Sequence, residues 1–420
     1  MRTATWVLAS VLAAGPIVSV AKVDVWSNGA SLCRASEDDR DAGPIVLELR
    51  SRGAAGLEEI LAEYDTTHDA SLMPLIDEVA GQHDAVWSRL YWYTDLSEAL
   101  VAAQTSHRPI LYLRLMGRLT DEYSCANSRF FRTVLYANRS VSDLLRSRFV
   151  LVWESERPVP VVTVDYGDGR VLKRTLTGNS AHYILDETGA VIDVLPGLFD
   201  AETFASNLRR VLTLGSAPSQ AQRRGYVSEE FRLLDAARDD WSESDAAAMV
   251  VTSASTNSQV PTAKRAARLA MSKGAVESPI LSGMGPLRER YLETSEMGWT
   301  ENALPASLDD RSIALMRSQD PAGAADPMAF ARTVANFEAF IAADTQFNNQ
   351  VLRRVALTWL LNPSATPDIY ALNQRVYSEL FLTPRSDGWL GLLPSDTYTA
   401  LPHGGASLNV STGDSYDTGK

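Results

Sequence analysis

Ile110-Leu111-Tyr112-Leu113-Arg114-Leu115 and Phe149-Val150-Leu151-Val152-Trp153 are two apolar runs of strand length. Between them lies Ser124-Cys125-Ala126-Asn127-Ser128, reached through the polar loop Gly117–Tyr123. After Cys125, Phe130, Phe131, Val134 and Leu135 recur at helical spacing, Asn138 and Ser140 punctuate, and Val141, Leu144 and Leu145 begin a second helix. Strand, helix and strand in that order predict two parallel neighbours in one sheet with the helical stretch crossing over them, and such crossovers are right-handed.

Upstream, Trp87 to Tyr93 is aromatic-rich and reads as a strand, and Thr94 is placed to cap a helix with Leu96, Ala99, Leu100 and Ala103 on one face. Downstream, Val159–Tyr166 and Val171–Leu176 flank Gly167-Asp168-Gly169 as a hairpin. His182–Leu185 and Ala190–Leu195 flank Asp186-Glu187-Thr188-Gly189 as another, and Ala201–Leu212 closes as a helix. Strands separated by helices, then a hairpin and a terminal helix, argue for an α/β sheet over residues 86–214. Residues 22–85 read as a short helical lead, with a helix over Ser71–Gly81 interrupted near Pro74. Residues 215–397 read as mainly helical, with candidates at Glu229–Trp241, Thr262–Lys273, Asp309–Arg317, within Met328–Leu361 and at Asp368–Leu382. Residues 398–420, rich in Gly, Ser, Thr and Asp, read as a disordered tail.

With 420 residues, 45% of them hydrophobic, the chain has ample material for buried cores. Its net charge of −13 disfavours binding to phosphate backbones, so no nucleic-acid partner is expected. Arg2, the apolar stretch from Ala4 to Val18 and the small-x-small site Ser19-Val20-Ala21 form the three regions of a signal peptide over residues 1–21. The uninterrupted apolar run is short of the ~20 residues a membrane span needs. Export to the periplasm or the extracellular space is therefore expected, with no transmembrane segment after signal removal.

The chemistry-bearing candidate is Cys125. It stands where the helix begins, so the positive end of the dipole favours its thiolate. Ser128, one turn on, is placed to donate to the sulfur, and Arg129 to add positive potential. Burial by Tyr123, Phe130 and Phe131 would act the other way, by desolvation. Cys33, the only other cysteine, is a candidate disulfide or resolving partner. His182 is the one histidine in the late sheet, and is read as a strand histidine or a near-site group. Tyr370, Tyr377, Trp389 and Tyr398 are core anchors or the lining of a groove, and the apolar loop Thr383–Ala400 is expected to pack back on a domain. No cluster has metal-ligand spacing, and no phosphate loop or nucleophile elbow is present, so neither metal nor cofactor is called for.

On the helix Asp95–Ala103, the strand Ile110–Leu115, Cys125-Ala126-Asn127-Ser128 in the slot of a C-x-x-C motif, and the late stretch Asn179–Gly189, the chain resembles the thioredoxin-like superfamily. Asp121–Thr133 and Thr177–Gly197 are also similar to uncharacterised exported bacterial members of it. The resemblance covers residues 86–214. It implies a thioredoxin-like domain flanked by a short helical N-terminal segment and a mainly helical C-terminal region. Two departures bear on activity. Ser128 replaces the second motif cysteine, and Ser180 stands where the family keeps a cis-proline. The CxxS motif forbids an internal disulfide, which leaves two readings open: a binding or scaffold module with a protein partner, or a monothiol that exchanges with protein thiols through Cys125.

The mature chain is expected to begin near Lys22. Mass spectrometry of protein from the native host would overturn this if Met1 or Arg2 were retained.

Overall fold

The structure is a computed structural model, and it describes residues 42–176, 178–236, 306–362 and 368–386. The candidate helix Thr262–Lys273, most of the loop Thr383–Ala400, and Cys33 lie outside the described residues.

The lead segment folds as α1 (Ala42–Ser51), α2 (Ala54–Thr67) and α3 (Met73–Ala80) around Leu57, Leu61, Ile76 and Val79. Pro74 does not interrupt α3. It sits in its first turn, where the missing N–H has no partner to lose. Residues 87–93 are not a strand. Ala85–Ser88 makes one helical turn (α4), which ends at Arg89 in the left-handed region (φ 57°). The Trp92 indole donates to Gln82 Oε1 at 2.8 Å and its backbone N–H to Ala80 O at 2.8 Å, so this stretch is tied to the lead segment. Tyr93 alone of this stretch pairs with a strand, through a parallel bridge to Val152, while Leu90 and Trp92 pack into the core beneath the sheet. The next helix, α5 (Leu96–Ser106), is capped by Asp95 rather than Thr94. The Asp95 carboxylate accepts from the N–H groups of Ser97 (2.7 Å) and Glu98 (3.1 Å), satisfying two donors that the helix leaves free.

Four strands form a mixed sheet in the order β2-β1-β5-β6, made of β1 (Ile110–Met116), β2 (Val150–Arg157), β5 (Ser180–Leu185) and β6 (Val191–Pro196). As the sequence predicts, β1 and β2 are parallel neighbours, with Ile110 opposite Val150 and Leu113 opposite Trp153. The crossover between them is α6 (Ala126–Phe130), a π-helical turn (Phe131–Tyr136) and α7 (Arg139–Arg148). β5 runs antiparallel to β1 and to β6. Both expected hairpins form, but β3 (Val161–Asp165) and β4 (Val171–Thr175) pair as a separate two-stranded ribbon, with Val161, Val164, Tyr166 and Val171 exposed.

Alternate residues of β1 leave by opposite faces, and both faces are dry. Leu111, Leu113 and Leu115 join Leu151, Trp153 and Ile184 in one core, covered by the crossover and by α8 (Ala201–Leu212). Ile110, Tyr112 and Met116 join Val150, Val152 and Tyr183 in the other. The cover for this second face comes from α5 and from far along the chain. There, α11 (Pro327–Phe347) passes through a π-helical turn into α12 (Arg354–Leu361), and α13 (Ile369–Arg375) continues as a π turn to Leu380. Helix α9 (Gln220–Ala236) adds to the first face through Tyr226, Val227 and Leu234, and α10 (Asp310–Gln319) packs on the π-helical turn of the crossover.

A buried ion cluster locks this late helical layer to the sheet. Arg353 donates to Asp193 of β6 through Nε (3.2 Å), to Glu230 of α9 through Nη2 (2.7 Å) and to Asn207 of α8 through Nη1 (3.2 Å). Tyr226 donates to Asp193 at 2.7 Å. Burial alone would lower the pKa of Arg353, but Asp193, Tyr226 and Glu230 outweigh it and hold it above the ordinary arginine value. Because removing one member strands buried charges, Arg353→Met is expected to cost about 3–5 kcal/mol. Replacing Asp193 as well should recover part of that loss. Urea unfolding of the single and double variants checks this, and a loss under about 1 kcal/mol would show that the cluster does not hold the layer.

Candidate functional site

Cys125 ends the loop that leaves β1. Its backbone N–H returns to Met116 O (3.3 Å), and its carbonyl accepts from Arg129 N (3.1 Å), which starts the helical crossover. Across the sheet end, Ser180 opens β5 directly opposite Leu115. The two meet: Cys125 Sγ lies 3.0 Å from Ser180 Oγ. Gly178 makes that approach possible, since a Cβ there would sit 2.4 Å from Cys125 Cβ, and its φ of +145° is one that side-chain-bearing residues rarely adopt.

Cys125 is a free thiol with 0% of its surface exposed. The residues expected to bury it are not the ones that do. Tyr123 is exposed, while Cys125 shares the second core with Tyr377, Leu380 and Phe381 of the last described helical stretch. That stretch is pinned beside the site: Tyr377 Oη donates to Asn179 O (2.8 Å), and Asn179 Nδ2 donates to Phe381 O (3.5 Å). Of the four aromatics proposed as anchors or groove lining, Tyr377 is thus an anchor and Tyr370 is exposed, while Trp389 and Tyr398 lie outside the described residues.

The other sequence candidates divide: His182 is the strand histidine of its two readings, the Ser128 hydroxyl bonds elsewhere than the sulfur, and Arg129 reaches the ribbon. Ser128 does not donate to the sulfur. Its hydroxyl turns back on its own helix start, 2.8 Å from Cys125 O and 2.7 Å from Ser124 Oγ, because a serine one turn in finds a backbone carbonyl nearer than the side chain before it. Arg129 directs Nη2 to Thr175 Oγ1 of β4 at 2.9 Å, which ties the crossover to the exposed ribbon. His182 belongs to the first core rather than to the thiol. It is fully buried among Phe131, Tyr136 and Phe204, with ring centroids 4.6, 6.0 and 4.9 Å away, and its Nε2 lies 2.7 Å from the Tyr136 hydroxyl.

One cluster near the thiol escapes a reading by motif. Arg114, Glu154 and Glu156 project from β1 and β2 onto the second face at the sheet end that carries Cys125. Arg114 Nη1 donates to Glu154 (2.7 Å) and to Tyr112 Oη (2.9 Å), and its Nη2 donates to Glu156 (2.5 Å). Asn373 of α13 bridges Glu156 (2.7 Å) and Tyr183 (3.0 Å), and Arg385 meets the other Glu156 oxygen at 3.0 Å. Burial opposes the charge on Arg114, but Tyr112 and Glu156 raise its pKa above the ordinary value. Burial likewise raises that of Tyr112. The available signal was charge at alternate positions within and just after apolar strands, which marks a buried pair on one face. Among the described residues, no group of three or more His, Cys, Asp or Glu side chains is disposed to hold a metal ion. No described helix is long and apolar enough to cross a membrane.

Compared with known protein families, curated proteins and solved structures, the chain shows no significant match.

Burial lowers the pKa of His182 from 6.5 to about 3. Between those values the unfolded chain holds the proton and the folded chain does not, so stability falls as pH drops through that window. Asp77, raised by burial to about 6, acts in the opposite sense between about 4 and 6. The difference between wild type and His182→Gln isolates the histidine: the wild type should lose a few kcal/mol more between pH 7 and pH 3.5. Equal pH slopes in denaturant titrations would show that the imidazole is not held neutral.

Proposed function

We propose that this protein is an exported, thioredoxin-fold binding module in which the reactive-cysteine position is retained but sealed by the chain's own C-terminal helical layer. The observation that carries this is the full burial of Cys125 against Ser180, beside the pinned segment Tyr377–Phe381. The fold part of the reading is supported by strand order and direction: two parallel strands joined by a helical crossover, then two antiparallel strands beyond β1. It is further supported by a cysteine after β1 that faces the first residue of β5, where the superfamily keeps its proline. A thiol that meets no solvent cannot attack a protein disulfide, so the module works by binding a protein partner and not by exchange. The monothiol reading draws on one feature, the Ser180 hydroxyl at 3.0 Å, which would donate to a thiolate.

Alkylation separates the two. In a Cys33→Ser background, native Cys125 should react with iodoacetamide at least ~100-fold more slowly than in the denatured chain, because reaction waits on local opening. Tyr377→Phe removes the bond to Asn179 and should raise the native rate. Rapid native alkylation, with an inflection below the free-thiol value of about 8.5, would overturn the sealed-site reading and leave monothiol exchange.

A further inference from the structure

On the far side of the crossover from the thiol motif, a cleft of about 420 Å3 opens between α6, the end of α10 and one face of α11. Its walls are largely aromatic: Phe130 from α6 faces Phe330, Phe337 and Phe340 from α11. The α11 residues recur at the spacing of a single helical face, and the sequence shows them as the stripe of an apolar helix. Phe130 and Phe337 approach with centroids 4.9 Å apart and planes tilted by 50°. The volume falls in the range of about 300–1,000 Å3 typical of small-molecule sites.

The lining of the cleft carries a single formal charge among the described residues. That charge is Asp320, at the end of α10. Its Oδ1 accepts from Gly323 N at 2.9 Å, and no ion pair engages it among the described residues. The nearest cation in sequence, Arg317, does not line the cleft and lies over the Phe330 ring, 5.1 Å from its centroid. Aromatic faces beside an unneutralised carboxylate form an environment that attracts an ammonium group attached to an apolar body.

We infer that this cleft is a binding site for a small hydrophobic ammonium compound, its apolar body lying among the phenylalanines and its cationic head at Asp320. The inference deepens the binding-module reading by naming a ligand class. It does not depend on the state of Cys125, so its failure would leave the alkylation result untouched.

The test uses the full chain, with N-phenyl-1-naphthylamine as a neutral fluorescent reporter. Three competitors carry the same phenyl group on four methylenes and differ only in their head group: 4-phenylbutylamine, 4-phenylbutanol and 5-phenylpentanoate. The reporter should bind saturably at one site, and the amine should displace it at a concentration about tenfold below that of the carboxylate, with the alcohol between. Asp320→Asn keeps an oxygen for Gly323 N, so it should retain reporter binding and abolish the amine's advantage. Thr333→Trp, on the lining face of α11, should fill the cleft and abolish reporter binding while leaving the circular dichroism spectrum unchanged. No reporter binding, binding that survives Thr333→Trp, equal displacement by all three heads, or preference for the carboxylate would each overturn the inference.

Discussion

A strand that is apolar on both sides must be covered on both sides, and β1 is such a strand. All seven of its residues are buried, with leucines on one face and Ile110, Tyr112 and Met116 on the other. Most of the first face's cover comes from neighbours in sequence, the crossover after Cys125 and the helix after β6, with α9 and the later residues Ile341, Ala342 and Leu357 added to them. The second has only α5 close at hand. The rest of its cover comes from Phe347–Phe381, more than 150 residues beyond the sheet's last strand. The described late helices therefore do not build a core of their own. They complete the one that β1 begins.

Covering that face takes the polar ends of the strands out of water, and the structure answers each buried charge with a partner. Arg114 stands between Glu154 and Glu156, and Asn373 and Arg385 reach in from the late helical layer. Arg353 does the converse, carrying a guanidinium from that layer to Asp193 and Glu230. Each cluster spans the seam between sheet and cover. A well-packed apolar seam would hold as tightly, but any other alignment of the two layers would leave a buried charge unpaired. The alignment observed brings Tyr377 to Asn179 and closes the layer beside Cys125.

Sealing the thiol and forming the aromatic cleft are thus two outcomes of the same packing. Helix α11 contributes Phe330, Phe337 and Phe340 to the cleft, then runs on as Phe347 and Val351 into the second core. Phe130 sits in the cleft wall five residues after Cys125, on the crossover that starts at the thiol. One crossover therefore carries the buried thiol at its start and a cleft-lining phenylalanine one turn later.

Much of the sheet region was legible from residue pattern alone. The runs Ile110–Leu115 and Phe149–Trp153, the turn residues Gly167-Asp168-Gly169 and Asp186–Gly189, and the periodicity of Ala201–Leu212 carry local signals that no distant contact needs to supply. Where the reading failed locally, a competing partner had won: Gln82 took the indole N–H of Trp92 and Ala80 the backbone N–H that a strand would have used, and Asp95 out-competed Thr94 as a cap. The resemblance put Ser180 at the family's proline position, but neither its contact with Cys125 nor the sealing of the thiol was read from the sequence. Tyr377 and Phe381 lie some 250 residues away, and no periodicity in them says which surface they cover. The same holds for Arg114 with Glu156 and for Arg353 with Asp193. A charge within an apolar run shows in sequence that a partner must exist, because burial without one is too costly. Which residue answers it depends on how distant elements pack, and that was decided only when the late helices closed over the second face of the sheet.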